Sequence, residues 1–297
     1  MHAIPHVPAA TPPAALTGRR RRGRGYATNL AQSLAALATV LLAGTAFAGP
    51  IDDAYLAYTR GDYPAALKIF VPLAEQGNPE AEYSVGVIYS NGRGLPQSYV
   101  EAAKWFHRAA EKGQSGAQYD LGVLFAKGQG VPQNFGEAAT WFRRAAEQGK
   151  ASAQYNLGYM YTQGQGVGQD YAEAAKWYRK AAEQGDMDSQ NRLATLYLTG
   201  DGVQQDFAEA AKWYRKAADQ GDVEAQNELG SLYGNGRGVP VDYVEAYRWF
   251  DIAASHDPGA DFETHDNAVR NRDTVAGKMT PEQIAAAQKL AKTWKPN

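Results

Sequence analysis

The sequence predicts an all-α fold, a solenoid of repeated helix pairs, and three observations carry that prediction. Trp105, Trp141, Trp177, Trp213 and Trp249 stand 36 residues apart. Gly113, Gly149, Gly185 and Gly221 keep the same period, as do Tyr99, Phe135, Tyr171, Phe207 and Tyr243. Within each period the apolar residues recur at helical spacing and do not alternate as in a strand. Self-similarity at a fixed period of this size marks a stack of small units that bury their faces only against one another. The units are placed at 78–113, 114–149, 150–185, 186–221 and 222–257. The 31 glycines of this 297-residue chain exceed the usual share of about 7%, and most of them fall on repeat columns.

Ahead of the repeats, residues 1–48 have the order of a secretory signal peptide. Arg19, Arg20, Arg21, Arg22 and Arg24 form a basic run, Leu30 to Ala43 an apolar one, and Ala46-Phe47-Ala48 a small-x-small cleavage pattern. The apolar run is short for a spanning helix, which needs about 20 residues. Cleavage after Ala48 takes away five of the 30 basic residues and none of the 32 acidic ones, leaving net −7. The expected location is the periplasm or the exterior. Nucleic acid and anionic lipid heads repel such a chain, and stable membrane insertion after cleavage is not expected. The absence of cysteine excludes disulfides, thiol nucleophiles and zinc–thiolate sites.

Residues 49–77 read as a degenerate first unit, with Tyr63, Phe70 and Gly77 each 36 before Tyr99, Phe106 and Gly113, and a short Thr59-Arg60-Gly61-Asp62 connection. In each full unit helix A runs like Ala117 to Phe125, with Ala117, Leu121, Leu124 and Phe125 on one face. Gly86, Gly122, Gly158 and Gly230 share one column, with Ala194 in the fourth copy. A glycine inside a helix costs up to about 1 kcal/mol against alanine, so this column predicts a neighbouring helix too close for a side chain. A Gly-x-Gly-Val/Leu connection follows, its first glycine expected at positive φ as a helix stop. Helix B opens on Ser98, Asn134, Asp170, Asp206 or Asp242 with Glu three residues on, the pattern of a capping box. Its buried stripe is Tyr99, Ala102, Ala103, Phe106, Ala109 and Ala110. Residues 258–297 are assigned to C-terminal capping helices, the last starting at Thr280-Pro281-Glu282-Gln283.

The third copy, Ala153-Gln-Tyr-Asn-Leu-Gly-Tyr-Met-Tyr161 through Gly166-Val167 and Asp170-Tyr-Ala-Glu-Ala-Ala-Lys-Trp-Tyr178 to Gly185, resembles the Sel-1-like repeat family almost column by column. Residues 78–257 carry that resemblance densely, and 49–77 resemble a tetratricopeptide-like unit. The resemblance implies a right-handed α–α superhelix with helix A lining its concave face. It also implies a non-catalytic adaptor that binds a protein or peptide through that face.

On that expectation the helix A columns that vary between copies are the candidate partner contacts. One runs Tyr83, Tyr119, Tyr155, Asn191, Asn227, and the next includes Asp120, Asn156, Arg192 and Glu228. Near the helix end stand Lys127 and Gln163. Tyrosine brings large area with a polar tip, and asparagine offers a donor and an acceptor to a backbone. Two other functions are open: an envelope glycan stacked on the tyrosines, and a β-lactamase-like hydrolase, for which no Ser-x-x-Lys stands in the repeats. The tryptophan column reads as packing. Lys104, Lys176 and Lys212, each three residues after a Glu, read as surface ion pairs, and His107 as exposed. His256, Asp257, Asp261, Glu263, His265 and Asp266 are the one mixed acid/His group, read as a solvated junction and not a metal site. No catalytic, cofactor or metal residue is assigned.

Overall fold

The computed structural model describes residues 49–256 and 262–296. Among them every regular element is a helix. The order is α1 Pro50–Thr59, α2 Tyr63–Glu75, α3 Pro79–Asn91, α4 Tyr99–Glu111, α5 Ser115–Lys127, α6 Phe135–Glu147 and α7 Ala151–Gln163. It continues with α8 Tyr171–Glu183, α9 Met187–Thr199, α10 Phe207–Asp219, α11 Val223–Asn235, α12 Tyr243–Ala254, α13 Phe262–Ala276 and α14 Pro281–Thr293. The leader, and Asp257 and Asp261 of the acid/His group, lie outside the described residues. The chain divides into two compact units. The first holds the described residues up to Asn156 with 165–168, and the second holds 157–164 and everything from Gln169 onward.

In the first unit α3–α4 and α5–α6 are successive A–B pairs, preceded by the shorter pair α1–α2. Their shared core joins Ala102, Phe106 and Ala109 of one helix B to Leu121 and Leu124 of the next helix A and Trp141 of the next helix B. In the second unit α9–α10 and α11–α12 repeat the arrangement, and α13 and α14 close it over Ala246, Tyr247 and Phe250. The assigned start of α14 is a full capping box. Gln283 N–H donates to Thr280 Oγ1 (3.3 Å), and Thr280 N–H donates to Gln283 Oε1 (2.9 Å).

The glycine columns have separate causes. Gly92, Gly128, Gly200 and Gly236 end their helices in the left-handed region, as expected. The second loop glycine is also left-handed, for a reason the sequence did not suggest. A Cβ on Gly130 would lie 2.2 Å from the Tyr99 carbonyl oxygen, and one on Gly238 would lie 2.1 Å from the Phe207 carbonyl carbon. Each loop therefore rides backbone on backbone over the start of the preceding helix B. The mid-helix glycine lies under an aromatic ring of its own unit's helix B. A Cβ on Gly122 would stand 2.8 Å from Phe142, and one on Gly158 2.9 Å from Tyr178. Gly122→Val is accordingly expected to cost about 1–3 kcal/mol, as overpacking does, and Gly122→Ala less, since the fourth copy accommodates Ala194. A urea midpoint unmoved by the valine would show that the ring yields freely.

One expectation is corrected. The helix B caps accept from the N3 amide, as at Glu101 N–H to Ser98 Oγ (3.3 Å) and Glu173 N–H to Asp170 Oδ1 (3.0 Å). The return arm of the box is not made. The cap's own N–H donates instead to a carbonyl of helix A: Ser98 to Tyr89, Asn134 to Phe125, Asp206 to Tyr197 and Asp242 to Tyr233, at 2.9–3.1 Å. With that donor satisfied, the glutamates pair with Lys104, Lys176 and Lys212 on the exposed face of helix B.

Candidate functional site

Two helix A faces, one in each unit, hold the candidate residues. In the first unit Tyr83 of α3 lies across α5: a Cβ on Gly116 would meet its ring at 2.9 Å. Its hydroxyl is hydrogen-bonded with Asp120, and its ring sits 5.7 Å from Phe106. Tyr119 packs on Phe142 at the same centroid distance, with Lys150 Nζ 5.3 Å from its ring centre. Loss of hydration pushes the Asp120 carboxyl up to about 6, opposed by Lys150, the Tyr83 hydrogen bond and Lys127. Burial in turn lowers Lys150 and raises the Tyr83 hydroxyl. Tyr83, Tyr119, Tyr155 and Asp120 are half-buried, Asn156 is buried with its amide on the Ser152 carbonyl, and Lys127 is exposed, as is Gln163 of the second unit. The tyrosines thus spend much of their ring area on the protein itself.

In the second unit the asparagine column does not present amides outward. Asn191 is 3% exposed. Its Nδ2 donates across the repeat junction to Asp222 Oδ1 (2.8 Å) and Glu224 Oε2 (3.2 Å). Asn227 is equally buried and accepts from Asn271 Nδ2 of α13 at 3.2 Å. Asn191 and Asn227 are corrected from partner contacts to ties between neighbouring helices, because their short side chains are overlaid by the next helix. Arg192 and Glu228 remain half-buried on that face. Arg192 stands 3.8 Å from Glu224.

The carboxylates here are perturbed. Burial, then Glu224, lift Glu228 up to about 7. Burial lifts Asp222 up to about 6, against its hydrogen bonds from Ala225 and Asn191. The folded chain therefore keeps protons that the unfolded chain releases near pH 4. This contribution to stability is full below about pH 4 and lost as pH rises through about 6–7. Glu228→Gln is expected to raise stability near pH 8 by about 1–3 kcal/mol and to flatten the slope. Urea midpoints of both proteins at about pH 5 and about pH 8 check this, and a variant that tracks the wild type at both pH values refutes it.

Elsewhere, His107 is exposed, with its ring edge on Trp141 at 5.7 Å between centroids. Among the described residues no three His, Cys, Asp or Glu side chains converge as a metal site, and His265 lies beside Asp266. A pairing that sequence reasoning missed also lines the repeat junctions. Gln148 Nε2 donates to Gln118 Oε1 (2.7 Å) and to the Gly113 carbonyl (3.0 Å). Gln220 does the same with Gln190 and Gly185. In the first full copy the two positions are Lys112 and Glu82. Gln118, Gln190 and Glu82 are all buried. Reading the two columns 30 residues apart side by side would have exposed this.

The Sel1 repeat family model matches residues 79–114, 115–150, 151–186, 188–222 and 223–258. None of the curated proteins matches the chain. Among solved structures, a Sel1 repeat protein from Oxalobacter formigenes is 31% identical with a TM-score of 0.70, over 82% of this chain and 100% of that one. A protective antigen present in uropathogenic Escherichia coli strains, displaying an SLR fold, is 35% identical with a TM-score of 0.70 over 82% of this chain. The chain spans about half the length of that antigen, 52%.

Proposed function

Because the chain belongs to the Sel1 repeat family, a family of protein–protein interaction modules, we propose that it is a non-catalytic scaffold of the cell envelope that binds a protein or peptide along its helix A faces. The observation that carries this reading is the contrast between the two kinds of helix. Helix B repeats nearly the same buried alanines and aromatics from copy to copy, with Tyr247 in the place of one alanine in the fifth. Helix A sets unlike side chains on the same scaffold positions: Lys127 and Gln163 exposed near the helix ends, and Asp120, Arg192 and Glu228 half-buried on one column. A preformed stack loses little ordering entropy when a partner docks on it. The export-type leader supports a periplasmic or secreted setting, as does the likeness to a protein described as a protective antigen.

Photo-crosslinking residues at Lys127 and Gln163, set against Lys104 and Lys176 of helix B, test the reading in cells. Adducts of discrete mass are expected from the helix A positions and suppressed by excess unlabelled protein. Equal labelling from both helices would remove helix A as the binding face.

A further inference from the structure

Helix B of the second full copy, α6, departs from its fellows in three ways. In each other full copy the residue three after the helix B glutamate is a cation paired with it, as at Glu101–Lys104 (2.7 Å) and Glu245–Arg248 (3.2 Å). In α6 that place is held by Thr140, whose hydroxyl donates to the Gly136 carbonyl at 3.0 Å, so Glu137 lacks this cation. One turn earlier stands Gly136, where the other copies carry Val100, Ala172, Ala208 and Val244. Unlike the column glycines, Gly136 has neither a positive φ nor a packed neighbour: a Cβ there would meet only the Asn134 side-chain oxygen, at 3.3 Å. The fold does not demand its missing side chain. Finally, Arg143 and Arg144 set two guanidinia side by side, where copies one, three and four have His107-Arg108, Arg179-Lys180 and Arg215-Lys216.

The three departures meet in one place. A hollow of about 330 Å³ opens between Thr140, Arg143, Arg144 and Glu147 of α6 and Gly166 and Val167 of the following loop, with Gly136 and Ala139 also lining it. All of these residues belong to the first unit. The volume is at the small end for a ligand pocket. A glycine within a helix and a lost ion pair each lower stability, and a local rule broken without a structural reason marks a functional position. The walls carry both signs of charge. Arg143 is engaged elsewhere as well, and Arg144 lies over Trp141 and 3.7 Å from Glu111. A guanidinium has five N–H donors, so these contacts leave donors for a carboxylate, which a guanidinium meets with two parallel bonds. Glu147 stands one turn further along the same stripe, about 5.4 Å up the helix axis. A plain anion would be repelled by Glu147, and a plain cation by the arginines. A molecule with a carboxylate and an ammonium close together matches both.

We propose that this hollow binds a small zwitterion of the α-amino-acid class, with its carboxylate on the Arg143–Arg144 pair, its ammonium on Glu147 and its side chain toward Val167. The site lies on helix B and is independent of the helix A reading, which the crosslinks from Lys127 and Gln163 test separately.

Calorimetric titration of the full chain at neutral pH, with leucine, leucinamide and 4-methylpentanoate as probes, tests this. Leucine is expected to bind, and the two probes that lack one charge to bind about tenfold more weakly or worse. Glu147→Gln should weaken leucine about tenfold yet not weaken 4-methylpentanoate, and Arg143→Gln should weaken both. Gly136→Val with Thr140→Lys gives α6 the residues of the first copy, Val100 and Lys104. That variant fills the hollow and restores a partner for Glu137, so its urea midpoint should not fall while leucine binding is lost. Arg179→Gln with Lys180→Gln removes like charge from the next helix B and should leave leucine affinity within about twofold. No binding of leucine would overturn the proposal, as would equal binding of all three probes, or leucine binding that survives the filled hollow. A loss in the Arg179/Lys180 variant equal to that in Arg143→Gln would mean diffuse attraction and overturn it too.

Discussion

Truncating Trp141 to alanine is expected to destabilise the first unit by about 3–5 kcal/mol, the cost of deleting a large buried aromatic. The same cost is expected of Trp177→Ala from the repeat pattern. Trp141 is 4% exposed and packs with Ala102, Phe106, Ala109 and Ala110 of the preceding helix B. The small alanines leave room for the indole, and the Arg144 guanidinium lies over its ring at 4.5 Å. Trp105, only partly buried against the shorter leading pair, should cost less. A further contrast sharpens the test. Trp213 and Trp249 donate their indole N–H to Glu209 and Glu245 at 3.2 and 3.1 Å, whereas the Trp141 N–H is buried with no acceptor. Trp141→Phe should therefore be better tolerated than Trp213→Phe. Urea unfolding followed by circular dichroism checks both. A Trp141→Ala midpoint within a few tenths of a kcal/mol of wild type would place the tryptophan column at the surface.

The second large effect is expected at the first repeat junction. Glu82 is completely buried, with Lys112 Nζ at 2.7 Å and Arg108 Nη2 at 2.8 Å. Lys112→Met removes a partner from a buried charge, and such losses cost about 3–5 kcal/mol. The remaining Arg108 places the expected value at the lower end of that range. Glu82→Gln should be milder, because Lys112 and Arg108 reach water and rehydrate. Glu82→Gln with Lys112→Gln installs the pair found at Gln118 and Gln148, so most of the loss is expected to be recovered. The double-mutant cycle by denaturant titration measures that coupling. Strictly additive single effects would show that the two residues act independently.

These cases mark where the amino-acid order was legible. A positive-φ helix stop admits few residues, so Gly92 and its equivalents announced the ends of helix A from their period alone. The tight column at Gly122 was legible for a different reason, the cost of a glycine inside a helix, although the identity of the overlying ring, Phe142, was not. Depth was the harder quantity. Tyr83, Asn191 and Asn227 share one column, yet the tyrosine extends over the next helix while the asparagines are overlaid. Side-chain length decides which, and a column of letters does not show it. The capping glutamates were misread because the competing acceptor, a carbonyl of helix A, lies nine residues upstream in each copy. Local motif rules consider only the helix being capped.

The backbone seat beneath Gly130 and Gly238 bears on how such a gene lengthens. Each loop needs only the first turn of the helix B before it, and each copy provides that turn for its successor. A tandem duplication of one whole period therefore creates a junction already compatible on both sides, whereas a duplication out of phase leaves a loop with no seat. Recombination between near-identical copies is thereby filtered to whole periods, and the array gains or loses binding positions in steps of one repeat.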